Sequence, residues 1–280
     1  MNGVVRFRAL RLAGRYLLLC AVLLIMVGPL VWQVLTALKG QSEDIYGTAA
    51  TLLPRHPTLA NFSAVLAQVP IWSYIGNTLV VAALSVTSQL VFSTLGGYML
   101  SRTGWRGARA VLLLLIVSMM FPFESIMVSL YISIRSMGLE DNLLGVWLPG
   151  IIGAFNVLIM RTAFMAVPNE LEEAALLDGA GEWRRFTRIF LPAAAGAMMV
   201  VVINTFVSVW DDFLWPLIVI RSQSHFTLTL GLAQLSNSDF GMDERTVMAG
   251  SVISVIPVLI LFIATQRWFY KGVQAGGVKM

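Results

Sequence analysis

Charge, cysteine and histidine are all scarce in this chain. Only 12% of its 280 residues are charged, about half the fraction of an ordinary soluble domain. So little charge cannot keep a globular surface wet, which excludes the common soluble domains and points to a bilayer. Cys20 is the one cysteine, so a disulfide framework and a cysteine-based metal cluster are both excluded. The two histidines, His56 and His225, fall on separate loops without companions for a metal site. No Gly-x-x-x-x-Gly-Lys-Ser/Thr run is present, so the chain has no phosphate cradle for hydrolysing ATP. Neither a serine, histidine and acid set nor a His-Glu-x-x-His pair supports a protease. No metal and no cofactor is expected on this chain, and no enzymatic activity.

Apolar residues fill the space that charge vacates: 58% of the chain is hydrophobic and the mean hydropathy is +0.79. A span needs roughly 20 mostly apolar residues. Six stretches qualify, residues 16–38, 72–100, 110–132, 145–165, 193–220 and 247–269. Alternating strand patterns are absent, so the expected fold is an all-α membrane protein with six transmembrane helices. The first stretch is too long for a signal-peptide core and lacks a small-residue cleavage site, so retention is expected. Basic residues set the orientation. With the amino terminus cytoplasmic, the inner segments hold Arg6, Arg8, Arg11, Arg15, Arg102, Arg106, Arg109, Arg161, Arg184, Arg185, Arg188, Arg267, Lys271 and Lys279, fourteen in all. The outer segments hold five: Lys39, Arg55, Arg135, Arg221 and Arg245. Both termini are expected in the cytoplasm. The pI near 9.5 then reflects topology, and nucleic acid is not an expected partner. The division this implies is residues 1–15 as a cytoplasmic segment, 16–270 as the membrane domain and 271–280 as a cytoplasmic tail.

One polar island interrupts the apolar chain. Between Val167 and Arg188 stand Glu170, Glu172, Glu173, Asp178, Glu182, Arg184, Arg185 and Arg188. Such a segment cannot lie in hydrocarbon. Asn169 followed by Glu172 predicts a capping-box helix start, and Gly179 suits the left-handed residue that closes a helix. A second short helix follows, with Trp183, Phe186, Ile189 and Phe190 as an apolar stripe opposite Arg184, Arg185 and Arg188, and Pro192 is expected to end it.

The spacing from Glu173-Ala174-Ala175 across three residues, Asp178 among them, to Gly179, and nine residues on to Ile189, Leu191 and Pro192, resembles the coupling motif of ATP-binding-cassette importer permeases. The chain is similar to the smaller membrane subunit of the carbohydrate-uptake, maltose-type importers. The likeness extends over Asn77-Thr78, Gly96-Gly97-Tyr98, Phe121-Pro122, the 210–216 run Trp-Asp-Asp-Phe-Leu-Trp-Pro and the terminal 272–279 run. It departs at Gly196, where the family commonly has proline, and at Asp211, where it usually has asparagine. The resemblance implies the type I ABC importer permease architecture with residues 167–192 as a cytoplasmic coupling loop. It also implies a second homologous permease subunit, two copies of a cytoplasmic ATPase that bind the ATP-Mg, an extracytoplasmic solute-binding protein met by the 221–245 loop, and surrounding lipid.

Polar residues within the spans are the candidates for a substrate pathway. Glu124 lies about 21 Å along a helix from Ala110, at hydrocarbon depth, where a carboxylate needs a partner, a cavity or a proton. Asn204 falls about 18 Å from Pro192 and Asp211 about 28 Å, which puts Asp211 and Asp212 near the outer boundary. Asn204 also suits a helix-bridging role, and Trp210, Trp215 and Tyr74 suit either a sugar-stacking surface or an interfacial belt. An ion-coupled secondary transporter, relaying protons through these carboxylates, is the competing reading.

Overall fold

The computed structural model describes the backbone of residues 2–235 and 243–277 and the side chains of 11–235 and 243–266. Asn237, Asp239, Phe240, Gly241 and Lys279 lie outside the described residues, and the side chains of Arg6, Arg8, Arg267 and Lys271 outside the described side chains. Every regular element among the described residues is helical. The helices are α1 (Asn2–Ala37), α2 (Ala60–Gln68), α3 (Ile71–Arg102), α4 (Ala108–Ser118), α5 (Phe123–Ser136), α6 (Leu143–Trp147), α7 (Ala154–Met165), α8 (Asn169–Leu177), α9 (Glu182–Arg185), α10 (Leu191–Ala193), α11 (Ala195–Trp210), α12 (Leu214–Val219), α13 (Leu228–Leu235) and α14 (Glu244–Gly277).

Three segments, Arg11–Ala37, Ile71–Arg102 and Glu244–Gln266, are long and apolar enough to cross a membrane unbroken. Three more qualify as bent pairs: Ala108–Ser118 with Phe123–Ser136 at 102°, Leu143–Gly150 with Ala154–Met165 at 45°, and Glu182–Ala193 with Ala195–Trp210 at 73°. Counting each bent pair as one span, up to six are present among the described residues, and three of these are not the straight helices expected from sequence. The first break falls at Phe121-Pro122, because proline drives the residue before it out of the helical region and cannot donate to the preceding turn. Distances counted along a continuous helix from Ala110 to Glu124 therefore do not hold. Nor do those from Pro192 to Asn204 and Asp211, since the chain turns at Ala194 and the helix ends at Trp210.

The chain divides into two units. In the first, Met1–Pro70 with Leu232–Val255, Asn61 closes the end of α1 by donating from Nδ2 to the carbonyls of Ala37 and Lys39, both at 2.8 Å. Glu43 receives the backbone N–H groups of Arg55 and His56 at 2.8 and 2.9 Å, and these hold its carboxyl below the usual range. The second unit, Ile71–Gly231 with Ile256–Met280, is built on α3 packed along α7 and α11. Gly97 sets that approach: a Cβ there would sit 2.7 Å from the Arg161 backbone nitrogen and from Met160 Cβ. Gly97 thus lets two helices meet backbone to backbone.

Candidate functional site

At the end of α3, Tyr98 joins Met160, Phe164 and Val167 of the α7 end with Phe186 and Phe190 in one buried cluster. Tyr98 meets Phe190 nearly edge-on at 5.2 Å and Phe164 at 6.0 Å, geometries that favour aromatic pairs. The polar island is thereby anchored by three of the four residues of its own apolar stripe, Phe186, Ile189 and Phe190. Phe186 and Phe190 are buried, whereas Trp183 is 70% exposed and outside the cluster.

The island forms helix, turn and helix, and Gly179 makes the reversal. Its φ is +73°, the Gly179 N–H donates to Leu176 at 3.0 Å and the Ala180 N–H to Ala175 at 2.9 Å. These are the paired bonds of a Schellman close, which glycine reaches without the strain of a side chain. The start of α8 differs from expectation. Pro168 is its N-cap, and no capping box forms between Asn169 and Glu172. Both side chains are taken by Arg102, at the last turn of α3: Nη1 donates to Asn169 Oδ1 at 2.5 Å and lies 3.4 Å from Glu172. The same guanidinium donates to the Phe164 and Val167 carbonyls at 2.6 and 2.5 Å and sits 4.9 Å from the Phe190 ring centre. Arg185, expected on the solvent side, turns back to Glu172 at 2.6 Å. One arginine with 8% of its side chain exposed thus ties α3, the α7 end, α8 and the second helix together.

Pro192 does not end that second helix. The preceding residues Phe186–Phe190 widen into a π turn, and the helix runs through Pro192 to Ala193. The wider turn makes room where the proline ring would press on the preceding carbonyl. Glu173, Ala174, Asp178 and Gly179 are exposed and Ala175 is half-buried. Ile189 and Leu191 pack against the aromatic cluster. Beside the exposed small residues stand Leu171, Leu176, Trp183 and a 90% exposed Leu177.

The interior of the spans holds a polar cluster of which sequence reasoning singled out only Asn204. Gln89 of α3 donates to the Gly150 carbonyl at 2.8 Å, at the break before α7. Its Oε1 accepts from Asn156 Nδ2 and, at 3.1 Å, from Thr205 Oγ1, while Asn204 donates to Asn156 Oδ1 at 3.2 Å. Asn204 therefore bridges helices. The signal was present: a lone amide inside an apolar span needs a partner, and Gln89, Asn156 and Asn204 are partners to each other.

The remaining pathway candidates do not converge. Glu124 is exposed in the first turn of α5, where a carboxylate suits the positive helix end, and Asp211 is exposed just past α11. Trp210 is buried, stacked on Phe206 at 5.3 Å, and its carbonyl accepts from Thr229. Trp215 is buried with its Nε1 donating to Gly145, and Tyr74 is buried against Phe226, so none of the three offers a free stacking face. Asp212 borders a cavity of about 290 Å³, with the buried Trp215 also in its wall.

Beyond α5, charges pin a loop. Glu140 meets Arg221 at 2.5 Å and accepts from Tyr131, and Tyr131 and Arg221 hold its carboxyl below the ordinary range. Asp141, at φ 55°, receives the Arg221 and Ser222 N–H groups and the Ser222 hydroxyl, which hold its carboxyl far down. Asn77 and Thr78 of α3 fasten the same segment: Asn77 donates to Ser224 and Phe226 carbonyls at 2.8 and 3.0 Å, and Thr78 accepts the Leu228 N–H at 2.8 Å.

Residues 89–275 match the family described as the binding-protein-dependent transport system inner membrane component. The arabinooligosaccharides transport system permease protein AraQ of Halalkalibacterium halodurans is 33% identical, over 91% of this chain and 92% of its own. The lactose transport system permease protein LacG of Rhizobium radiobacter is 29% identical over 95% of each chain. A chain of the crystal structure of a bacterial ABC transporter involved in importing the acidic polysaccharide alginate superposes with a TM-score of 0.82, at 25% identity, over 94% of this chain and 98% of that one. This chain belongs to the binding-protein-dependent transport family, as a membrane permease component and not as the subunit that hydrolyses ATP. Membership sets aside the ion-coupled secondary transporter.

Proposed function

We propose that the chain imports a carbohydrate-type solute by alternating access, as one of two homologous permease subunits served by two cytoplasmic ATPases and an extracytoplasmic solute-binding protein. ATP-Mg is bound and hydrolysed on the ATPases. The membrane domain is 16–270, with both termini and the 167–192 loop in the cytoplasm, in keeping with the fourteen-to-five basic asymmetry. Relatives named for arabinooligosaccharides and lactose support a saccharide cargo.

The observation that bears most weight is the helix-turn-helix at Gly179. It offers small exposed residues, Ala174 and Gly179, beside exposed Leu176, Leu177 and Trp183, while its base is locked to α3 by Arg102. An exposed apolar patch on an ordered polar element marks a docking surface. Closure of the ATPases pulls on this element, and Arg102 passes the movement to α3. Uptake in energised vesicles separates the readings: import should stop when ATP is removed and the proton gradient kept, and import surviving that change would overturn the proposal. Alkaline phosphatase fused after Arg55 or Gln223 should be active and after Arg184 inactive, and the reverse pattern would overturn the orientation.

A further inference from the structure

The cavity beside Asp212 is furnished for a ligand. It is bordered by α3 at Ser85 and Gln89, by the start of α5 at Phe123, and by Asp212, Trp215 and Thr227 beyond α11. Its volume of about 290 Å³ equals that of on the order of ten waters, the scale of a sugar ring or two.

The chemistry of its wall is specific. Asp212 accepts one recorded hydrogen bond among the described residues, from the Trp215 backbone N–H at 3.3 Å. Thr227 is 2% exposed, yet its hydroxyl has no hydrogen-bond partner among the described residues. A buried hydroxyl left unmatched costs roughly 1–3 kcal/mol, a cost that a hydrogen bond to a solute group would remove. Phe123 adds an exposed ring, edge-on to Trp215 at 5.7 Å. Among the described residues no basic side chain lines the cavity, and Asp212 is its one charged group. A carboxylate that accepts hydrogen bonds from hydroxyls, a spare hydroxyl and an aromatic ring together suit a neutral saccharide, which offers hydroxyls at its edge and C–H groups on its face. An anionic sugar meets like charge with no cation to offset it.

We infer that this cavity is a solute subsite on this permease chain, selecting neutral saccharide units over acidic ones through Asp212 and Thr227. The inference rests on the carbohydrate reading above. It is tested in the complete transporter, reconstituted with its ATPases, partner permease and binding protein, using radiolabelled lactose, arabinotriose and galactobiose with digalacturonate as the acidic probe. Wild type should import at least one neutral probe and prefer it to digalacturonate. Thr227→Val keeps the side-chain shape and removes a hydroxyl the fold does not use, so it should reach the membrane at normal yield while maximal neutral uptake falls about threefold to tenfold. Asp212→Asn should narrow the neutral-to-acidic preference at least threefold, a change in ratio that general damage to the fold does not produce. Wild-type uptake with both variants matching its rates and its ratio would overturn the subsite alone. Import of none of the neutral probes by wild type would overturn the carbohydrate reading and the subsite with it.

Discussion

The two ends of α3 are fastened by opposite chemistry. At one end Arg102 gathers two carbonyls, an amide and a carboxylate into a charged clamp. At the other, Asn77 and Thr78 hold the 224–228 segment through neutral hydrogen bonds. Between them Gly97 brings α3 against α7, and Gln89 occupies the carbonyl freed at Gly150. The contrast separates tasks. Charge-assisted bonds are roughly twice as strong as neutral ones and suit a joint that takes load. Neutral bonds satisfy buried backbone without the cost of desolvating a charge, which suits a static seal.

The comparison is broken most severely by Arg102→Ala. Glu172, the Phe164 and Val167 carbonyls and the Phe190 face lose a shared partner, so a loss of about 3 kcal/mol is expected, read as a lower melting temperature of the purified complex. Gly97→Val comes next: the added carbons meet Met160 and the Arg161 backbone, and parting the helices costs about 1–3 kcal/mol on the same readout. Gly179→Val leaves room around the new side chain but strains a φ of +73°, costing about 1–2 kcal/mol locally. The protein should insert normally, while co-purification of the ATPase falls; unchanged co-purification and transport would reduce Gly179 to a helix stop. Asn77→Ala, at the neutral end, should cost only about 1 kcal/mol and leave ATPase association intact.

The smallest effect is that of pH on the charged loop. Glu140 and Asp141 have carboxyls held below their unfolded values, so their contribution is present above about pH 4 and is lost as pH falls through the lower folded value. Protection of the Arg221 and Ser222 amides against exchange, taken relative to the intrinsic rate at each pH, should fall on acidification below pH 4 in wild type. In Asp141→Asn that protection should be low already at neutral pH.

Legibility followed chemical contrast. The polar island stood out because eight charges interrupt an apolar chain, and Gly179 because a helix that reverses needs a positive φ. The breaks did not stand out. Met119, Met120 and Phe121 are as apolar as any span, and a bend there depends on one proline. Asn169 and Glu172 read as a local capping pair because that spacing is local, whereas their partner Arg102 stands 67 and 70 residues away. The Gln89 and Asn156 bridge, 67 residues apart, was hidden for the same reason. Charges in spans drew attention to Glu124 and Asp211, both exposed, and away from Thr227, which no sequence pattern distinguishes.

The claim that the coupling loop moves with α3 through the bridge from Arg102 to Glu172 to Arg185 is tested most directly by the solute imported per ATP hydrolysed. Glu172→Gln keeps the side-chain shape and removes the charge that both arginines share. In the reconstituted transporter the ATPase should remain bound and continue to hydrolyse ATP, while the solute-to-ATP ratio falls several-fold below wild type. A ratio equal to wild type at normal complex yield would contradict the account.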